Sequence, residues 1–202
     1  MKKIKILSLL FCVVMLVAAC HDDEEGPIIP QPREQVGRTV LVYIVGDNGV
    51  NELSDLFKTN FEDMKEGMKE VDYSKCNLVV YSEMVNDVPR LVSLKKQNGK
   101  VVADTLFTYS EQNPLAKEVM SSVISQTVSY FPADSYGFVF LSHSSSWVPA
   151  TNDANSRSIG YYRRTQMNIP DFHDVLLSSF PRPLKFILFD SCSMQAVEVA
   201  YE

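Results

Sequence analysis

The chain is 202 residues long, 46% hydrophobic and 22% charged, with 8 Gly, 10 Pro, a mean hydropathy of -0.05 and a formal net charge of -6. Those figures exclude a collagen-like, low-complexity or polytopic membrane protein. With no block of Lys and Arg after residue 5, they also exclude a nucleic-acid partner, which needs a basic face to displace counterions.

Lys2, Lys3 and Lys5 precede an apolar run at residues 6–19. That run is too short for a hydrocarbon core needing about 20 residues, and it reads as the hydrophobic part of a signal peptide. Leu16-Val17-Ala18-Ala19-Cys20 resembles a bacterial lipobox, in which the signal is cut before a cysteine whose sulfur carries a diacylglycerol. The alternative is a plain secretory signal with an incidental Cys20. Removing the signal takes the 19 basic residues to 16 against 25 acidic ones, a net of -9. His21-Asp22-Asp23-Glu24-Glu25 reads either as an acidic export tag for the outer cell surface or as a solvated spacer. Pro27, Pro30 and Pro32 stiffen the segment before Gly37 into an extended tether. The expected organisation is therefore a lipoprotein signal at 1–19, a tether at 20–37 and one domain at 38–202. The expected place is the outer membrane, with the lipid on Cys20 as the membrane contact and, where the acidic run acts as an export tag, the domain on the cell surface.

Residues 38–45 are β-branched and continuously apolar, as in a strand buried on both faces of a parallel sheet. Leu53, Leu56, Phe57, Phe61, Met64 and Met68 fall at helical spacing. Residues 77–82 predict a second strand. Residues 90–96 and 100–108 predict a β-hairpin across Asn98-Gly99, a pair suited to the positive φ of a tight turn. A helix is expected over 114–130, with Pro114 in its first turn. A third buried strand follows at 136–141, then a polar loop holding Asn152, Asp153, Asn155, Ser156 and Gly160. A short helix at 170–180, a fourth strand at 185–189 and a helix from Ser193 complete the pattern. Strands alternating with helices give an α/β fold with a largely parallel sheet.

Two strands run into chemically loaded residues: the third into Ser142-His143-Ser144, the fourth into Asp190-Ser191-Cys192. Ligands gather at the carboxyl edge of parallel strands, so neighbouring strands would present His143 and Cys192 on one rim. A helix beginning just after Cys192 would favour its thiolate through the helix dipole. His within reach of Cys is the arrangement for nucleophilic catalysis. The bland alternatives are a small core cysteine and a satisfied loop histidine. Once Cys12 has left with the signal and Cys20 is lipidated, Cys76 and Cys192 remain. In an oxidising envelope they either pair or stay a core thiol and a nucleophile. His173 reads as a surface helix residue and Trp147 as packing. There is no metal-ligand spacing, Gly-rich phosphate loop or Gly-x-Ser-x-Gly elbow.

Residues 39–44 followed by Asp47-Asn48 resemble the opening strand of the clostripain-type cysteine peptidases. Residues 130–136 resemble the segment before that family's histidine strand, and Phe189-Asp190-Ser191-Cys192-Ser193-Met194 with 197–202 resembles its nucleophile segment. The resemblance runs in order over 38–202. It implies a caspase-like three-layer α/β/α fold carrying a β-hairpin insertion, of which this chain is the N-terminal part. It implies His143 as general base and acid, Cys192 as nucleophile, and peptide or protein substrates with Arg or Lys before the cut.

Asp190 matches the family's acidic position near the basic-side-chain pocket, where a carboxylate partners a guanidinium; the alternative is a helix N-cap. Ser144 and Ser146 stand where the family usually has Gly. The Ser144 N–H is expected to help the Cys192 N–H form an oxyanion hole, with strain if the position demands positive φ. The family implies calcium as a cofactor, though no EF-hand loop is present. Arg157, Arg163 and Arg164 lie in flexible polar surroundings between the histidine and cysteine segments and read either as self-cleavage sites or as ordinary arginines of a surface loop. Two functions follow: a cell-envelope cysteine endopeptidase cutting after Arg or Lys, or a catalytically impaired relative that binds peptides or proteins.

Overall fold

Alternate residues of the first strand point into different apolar layers: Leu41, Tyr43 and Val45 into one, Val42 and Ile44 into the other. This is why an unbroken apolar run forms a central parallel strand here rather than a half-exposed one. The computed structural model describes residues 30–49, 51–149 and 157–201. All of these but Pro30 belong to one compact unit, Gln31–Glu202. The signal, Cys20 and the acidic run lie outside the described residues. Among the described residues no helix is long and apolar enough to cross a membrane.

In chain order the elements are β1 (Val36–Val45), α1 (Asn51–Gly67) continued by a 3-10 turn (Met68–Glu70), β2 (Cys76–Glu83), β3 (Arg90–Gln97) and β4 (Lys100–Thr108). Then come α2 (Lys117–Tyr130), β5 (Ala133–Leu141), β6 (Ser144–Pro149), β7 (Arg157–Tyr162), β8 (Thr165–Asn168), α3 (Ile169–Ser179), β9 (Phe186–Asp190) and α4 (Val197–Tyr201). Six strands form one sheet in the order β4-β3-β2-β1-β5-β9. β2, β1, β5 and β9 are parallel, and the β3–β4 hairpin is added antiparallel at one edge. Its turn is the expected one, with Asn98 at φ 50 and Gly99 at φ 76.

Helices cover both faces of the sheet. Leu53 and Phe57 of α1 pack on Val42, Ile44, Val80 and Leu141. On the other face Met120, Val123 and Ile124 of α2 and Phe172, Val175 and Leu176 of α3 join Tyr43, Tyr81, Phe138 and Phe140 in the main core. Tyr43 stacks on Tyr81 at 4.5 Å between ring centroids, and Phe140 meets Phe172 edge-on at 5.6 Å. Burial of each such ring contributes roughly 1.5–3 kcal/mol. The result is the expected three-layer α/β/α fold with a hairpin insertion.

The structure departs from the sequence reading in three places. First, α2 begins at Lys117, three residues later than expected. The Asn113 side chain accepts the Leu115 N–H at 3.0 Å and holds residues 113–116 in a turn, while the Pro114 carbonyl accepts the buried Tyr43 hydroxyl at 2.7 Å. Second, the polar loop carries a second, antiparallel sheet ordered β6-β7-β8. Third, the last helix begins at Val197 rather than at Ser193. Ser193 has φ 59, which interrupts right-handed helical backbone just after Cys192.

Among the described residues β9 is the last strand of the large sheet, and its Phe186, Ile187 and Leu188 are exposed. Beside it runs an apolar groove lined by Phe172, Leu176, Phe180, Ile187, Phe189 and Val199.

Candidate active site

Residues of opposite chemistry collect where the parallel strands end. β1 leads into Asp47, β2 ends on Glu83, β5 leads into His143, and β9 ends on Asp190 just before Cys192. β5 and β9 are direct neighbours, with Leu141 opposite Asp190. The Ser142 N–H donates to the Asp190 carbonyl at 3.4 Å. His143 and Cys192 each follow that pair by two residues, on strands about 4.8 Å apart. Both are exposed. Just beyond, the Ser144 hydroxyl donates to the Cys192 carbonyl in a short hydrogen bond. The adjacency that spacing alone left open is thus present in the backbone.

The histidine segment is held from the second sheet as well. The Tyr161 N–H donates to the Ser142 hydroxyl at 3.0 Å, Ser144 pairs with Ile159, and the Ser145 and Ser158 hydroxyls share a short hydrogen bond. Every one of these partners lies on β7. Ile159 is fully buried, which fixes β7 to the main core.

The dipole expectation for Cys192 is not met. α4 starts five residues after the thiol and is itself five residues long, so Asp190 does not cap it either. The Asp190 carboxylate is exposed and makes no ion pair among the described residues. Nor can Cys76 and Cys192 pair within the fold. Cys76 opens β2 at the amino edge and Cys192 follows β9 at the carboxyl edge, and both thiols are free. Eight residues of strand span about 26 Å, whereas a disulfide needs Cα atoms within about 7 Å. The strain feared at the serines is absent too. Among the described residues the left-handed non-glycine positions are Asn86, Asn98, Arg163 and Ser193, and neither Ser144 nor Ser146 is one of them.

The three arginines fare differently. Arg157 is the first residue of β7, whereas Arg163 and Arg164 form the tight β7–β8 turn, closed by Tyr162 opposite Thr165. Arg164 is exposed there. Arg163, expected in flexible surroundings, is instead clamped. Its Nε donates to the Asp47 carboxylate at 3.0 Å, and its guanidinium forms a short ion pair with Glu111. His173 sits half-exposed on α3 beside Asp174, as a surface residue. Trp147 contributes backbone to β6.

A group the sequence reading passed over is Glu83. It is 2% exposed, and its Oε2 has no hydrogen-bond partner in the protein. Burial, then the neighbouring Asp47 carboxylate, pushes its pKa up to about 8, against the opposing pull of Arg163. An acidic residue closing an otherwise apolar strand was the available signal. In the folded chain Glu83 keeps its proton up to about pH 8, whereas in the unfolded chain it loses it near pH 4.5. Stability is therefore lost as pH rises between those values, by an amount of the order of a few kcal/mol. Glu83→Gln should match the parent chain in thermal unfolding at pH 4.5 and exceed it at pH 8. Melting curves that stay parallel across that range would show that Glu83 is ionised in the fold.

Among the described residues no three His, Cys, Asp or Glu side chains are grouped to hold a metal ion, and Arg163 occupies the carboxylates of Asp47 and Glu111.

Comparison with known proteins gives a consistent picture. The model of the clostripain family matches residues 42–202. A secreted C11 cysteine protease from Bacteroides thetaiotaomicron, solved with an irreversible peptide inhibitor, is 41% identical with a TM-score of 0.73; the match covers 82% of this chain and 45% of that one. An inactive zymogen C11 protease from Parabacteroides distasonis is 33% identical with a TM-score of 0.69, covering 84% of this chain and 46% of that one. A B. fragilis cysteine protease is 42% identical with a TM-score of 0.53, covering 58% of this chain and 97% of that one. The chain thus spans under half the length of the first two. No curated protein matches.

Proposed function

This chain belongs to the clostripain family of cysteine proteases, and from that premise we propose that its domain is an endopeptidase module cutting after Arg or Lys through His143 and Cys192. The carrying observation is the pairing of Leu141 with Asp190, extended by the Ser144 bond to the Cys192 carbonyl. Parallel neighbours in that register deliver a base and a thiol to the same point of the rim. His143 takes the proton from the Cys192 Sγ, and the thiolate attacks the scissile carbonyl. His143 then gives that proton to the departing amine, leaving an acyl-enzyme that water hydrolyses. The developing oxyanion is met by the backbone N–H groups of Cys192 and Ser144.

The exposed, unpaired Asp190 supplies the negative charge for the substrate's Arg or Lys side chain. The B. thetaiotaomicron relative, solved with an irreversible peptide inhibitor, supports a peptide-binding cleft. The same nucleophile cuts its own chain after Arg157, because Arg163 and Arg164 are committed to a tight turn that cannot lie extended in a cleft. A zymogen among the relatives agrees with activation of this kind. The lipobox-like segment ending at Cys20 tethers the domain to the outer membrane, facing the cell surface.

A biotinylated Arg acyloxymethyl ketone tests this reading. It should label Cys192 in the folded chain, and labelling should vanish in His143→Ala. A folded chain that takes no label favours the peptide-binding alternative. Asp190→Asn should slow labelling by the Arg probe about 10- to 100-fold, the worth of one charge-assisted contact, and leave a probe with a neutral residue before the ketone unaffected. Equal slowing of both probes would remove Asp190 from the specificity pocket.

A further inference from the structure

The turn that presents Arg163 is fastened at three points. Its backbone N–H donates to the Asp47 carbonyl at 2.9 Å, its Nε to the Asp47 carboxylate, and its guanidinium pairs with Glu111. The guanidinium carbon also stands 5.0 Å from the centre of the Tyr162 ring. Asp47 is 6% exposed. A carboxylate so buried is costly without a counter-charge, and Arg163 is the cation that meets it. The planar fork of arginine reaches two carboxylates at once, a geometry lysine lacks. Arg163 itself has left-handed backbone, at φ 53.

What this clamp holds is β7, and β7 is the strand that brackets His143. Tyr161, two residues before Arg163, donates to Ser142, the residue before His143. Ile159 pairs with Ser144, the residue after it. Ser144 in turn reaches the Cys192 carbonyl. A continuous set of contacts therefore runs from Asp47 through Arg163 and β7 to both sides of the histidine.

We propose that Arg163, bridging Asp47 and Glu111, is a positioning residue that sets His143 against Cys192 by fixing the end of β7. This inference rests on the peptidase reading. It also accounts for an arginine within the domain of an arginine-cutting enzyme that is not a cutting site: its side chain is spent on two carboxylates. A base displaced by a fraction of an ångström transfers its proton poorly while substrate still enters the cleft. The rate of the covalent step, not binding, carries the effect.

The test uses the full chain and the Arg acyloxymethyl ketone, separating the maximal inactivation rate from the concentration for half-maximal rate. Arg163→Gln should lower the maximal rate about tenfold, with the half-maximal concentration unchanged within twofold, at a temperature where circular dichroism shows it folded. Arg163→Lys should recover part of the loss. If Arg163→Gln does not fold, Glu111→Gln is read instead. Glu111 is 65% exposed and leaves the Asp47 contact intact, and its loss should lower the maximal rate about two- to threefold. An unlabelled parent chain overturns the peptidase reading and this inference with it. A labelled parent with unchanged variants, or a variant that loses binding and rate together, overturns the positioning role alone.

Discussion

Cys192→Ala should lower kcat/KM on Arg-containing peptides by about a thousandfold or more, because the covalent route is lost with the sulfur. His143→Ala should cost about as much, and the double variant no more than either single one, since the two side chains act as a unit on one proton. The same substitution bears on maturation. The Cys192→Ala chain should stay whole on a gel, while the parent divides after Arg157. Peptide turnover that survives Cys192→Ala would place the nucleophile elsewhere, and fragments that persist would assign the cut to another protease. These outcomes separate the two functions legible from the sequence: a binding module keeps its affinity for peptides in both variants.

The second large effect concerns folding. Gly160→Ala should destabilise the domain by about 2–4 kcal/mol and lower Tm by roughly 5–15 °C. Gly160 lies within β7 at φ +75, where an L side chain is strained. A Cβ there would stand 2.4 Å from a Leu115 methyl and 3.0 Å from the Phe140 ring. Gly99 offers a control. It has nearly the same φ, +76, but nothing within 4 Å of the added carbon. Gly99→Ala should therefore cost only the backbone share, about 1–2 kcal/mol. The difference between the two variants isolates the packing of β7 against the core. Equal losses would mean that Leu115 and Phe140 give way freely.

The parallel sheet was readable because its strands are short, continuous apolar runs, and the hairpin because Asn98-Gly99 states its own turn. The second sheet was not. Its strands are short and interrupted by polar residues, and the burial of Ile159 in the core, which no local pattern announces, ties them to the rest of the domain. The last helix was placed too early for a related reason: the left-handed backbone at Ser193 belongs to a non-glycine residue and leaves no compositional mark. At the site, His143 and Cys192 were legible as residues that follow apolar strands, and the neighbourhood of β5 and β9 supplied what spacing could not. The roles of Asp47, Glu83 and Glu111 were hidden because carboxylates far apart in sequence meet only through strand order. Nothing near Arg163 in the sequence marks its two carboxylate partners, for the same reason.

Among the described residues the strand that leads to Cys192 is also the outermost of its sheet, with Phe186, Ile187 and Leu188 turned to solvent. The outer side of β9 pairs with no strand among the described residues, so its N–H and C=O groups suit a further extended segment. Chemical reactivity and colloidal behaviour therefore share one piece of backbone. Whatever backbone pairs with β9 stiffens the approach to the thiol, and a stray segment that pairs there seeds aggregation beside it. Light scattering and thiol reactivity, measured together against protein concentration, should move in step.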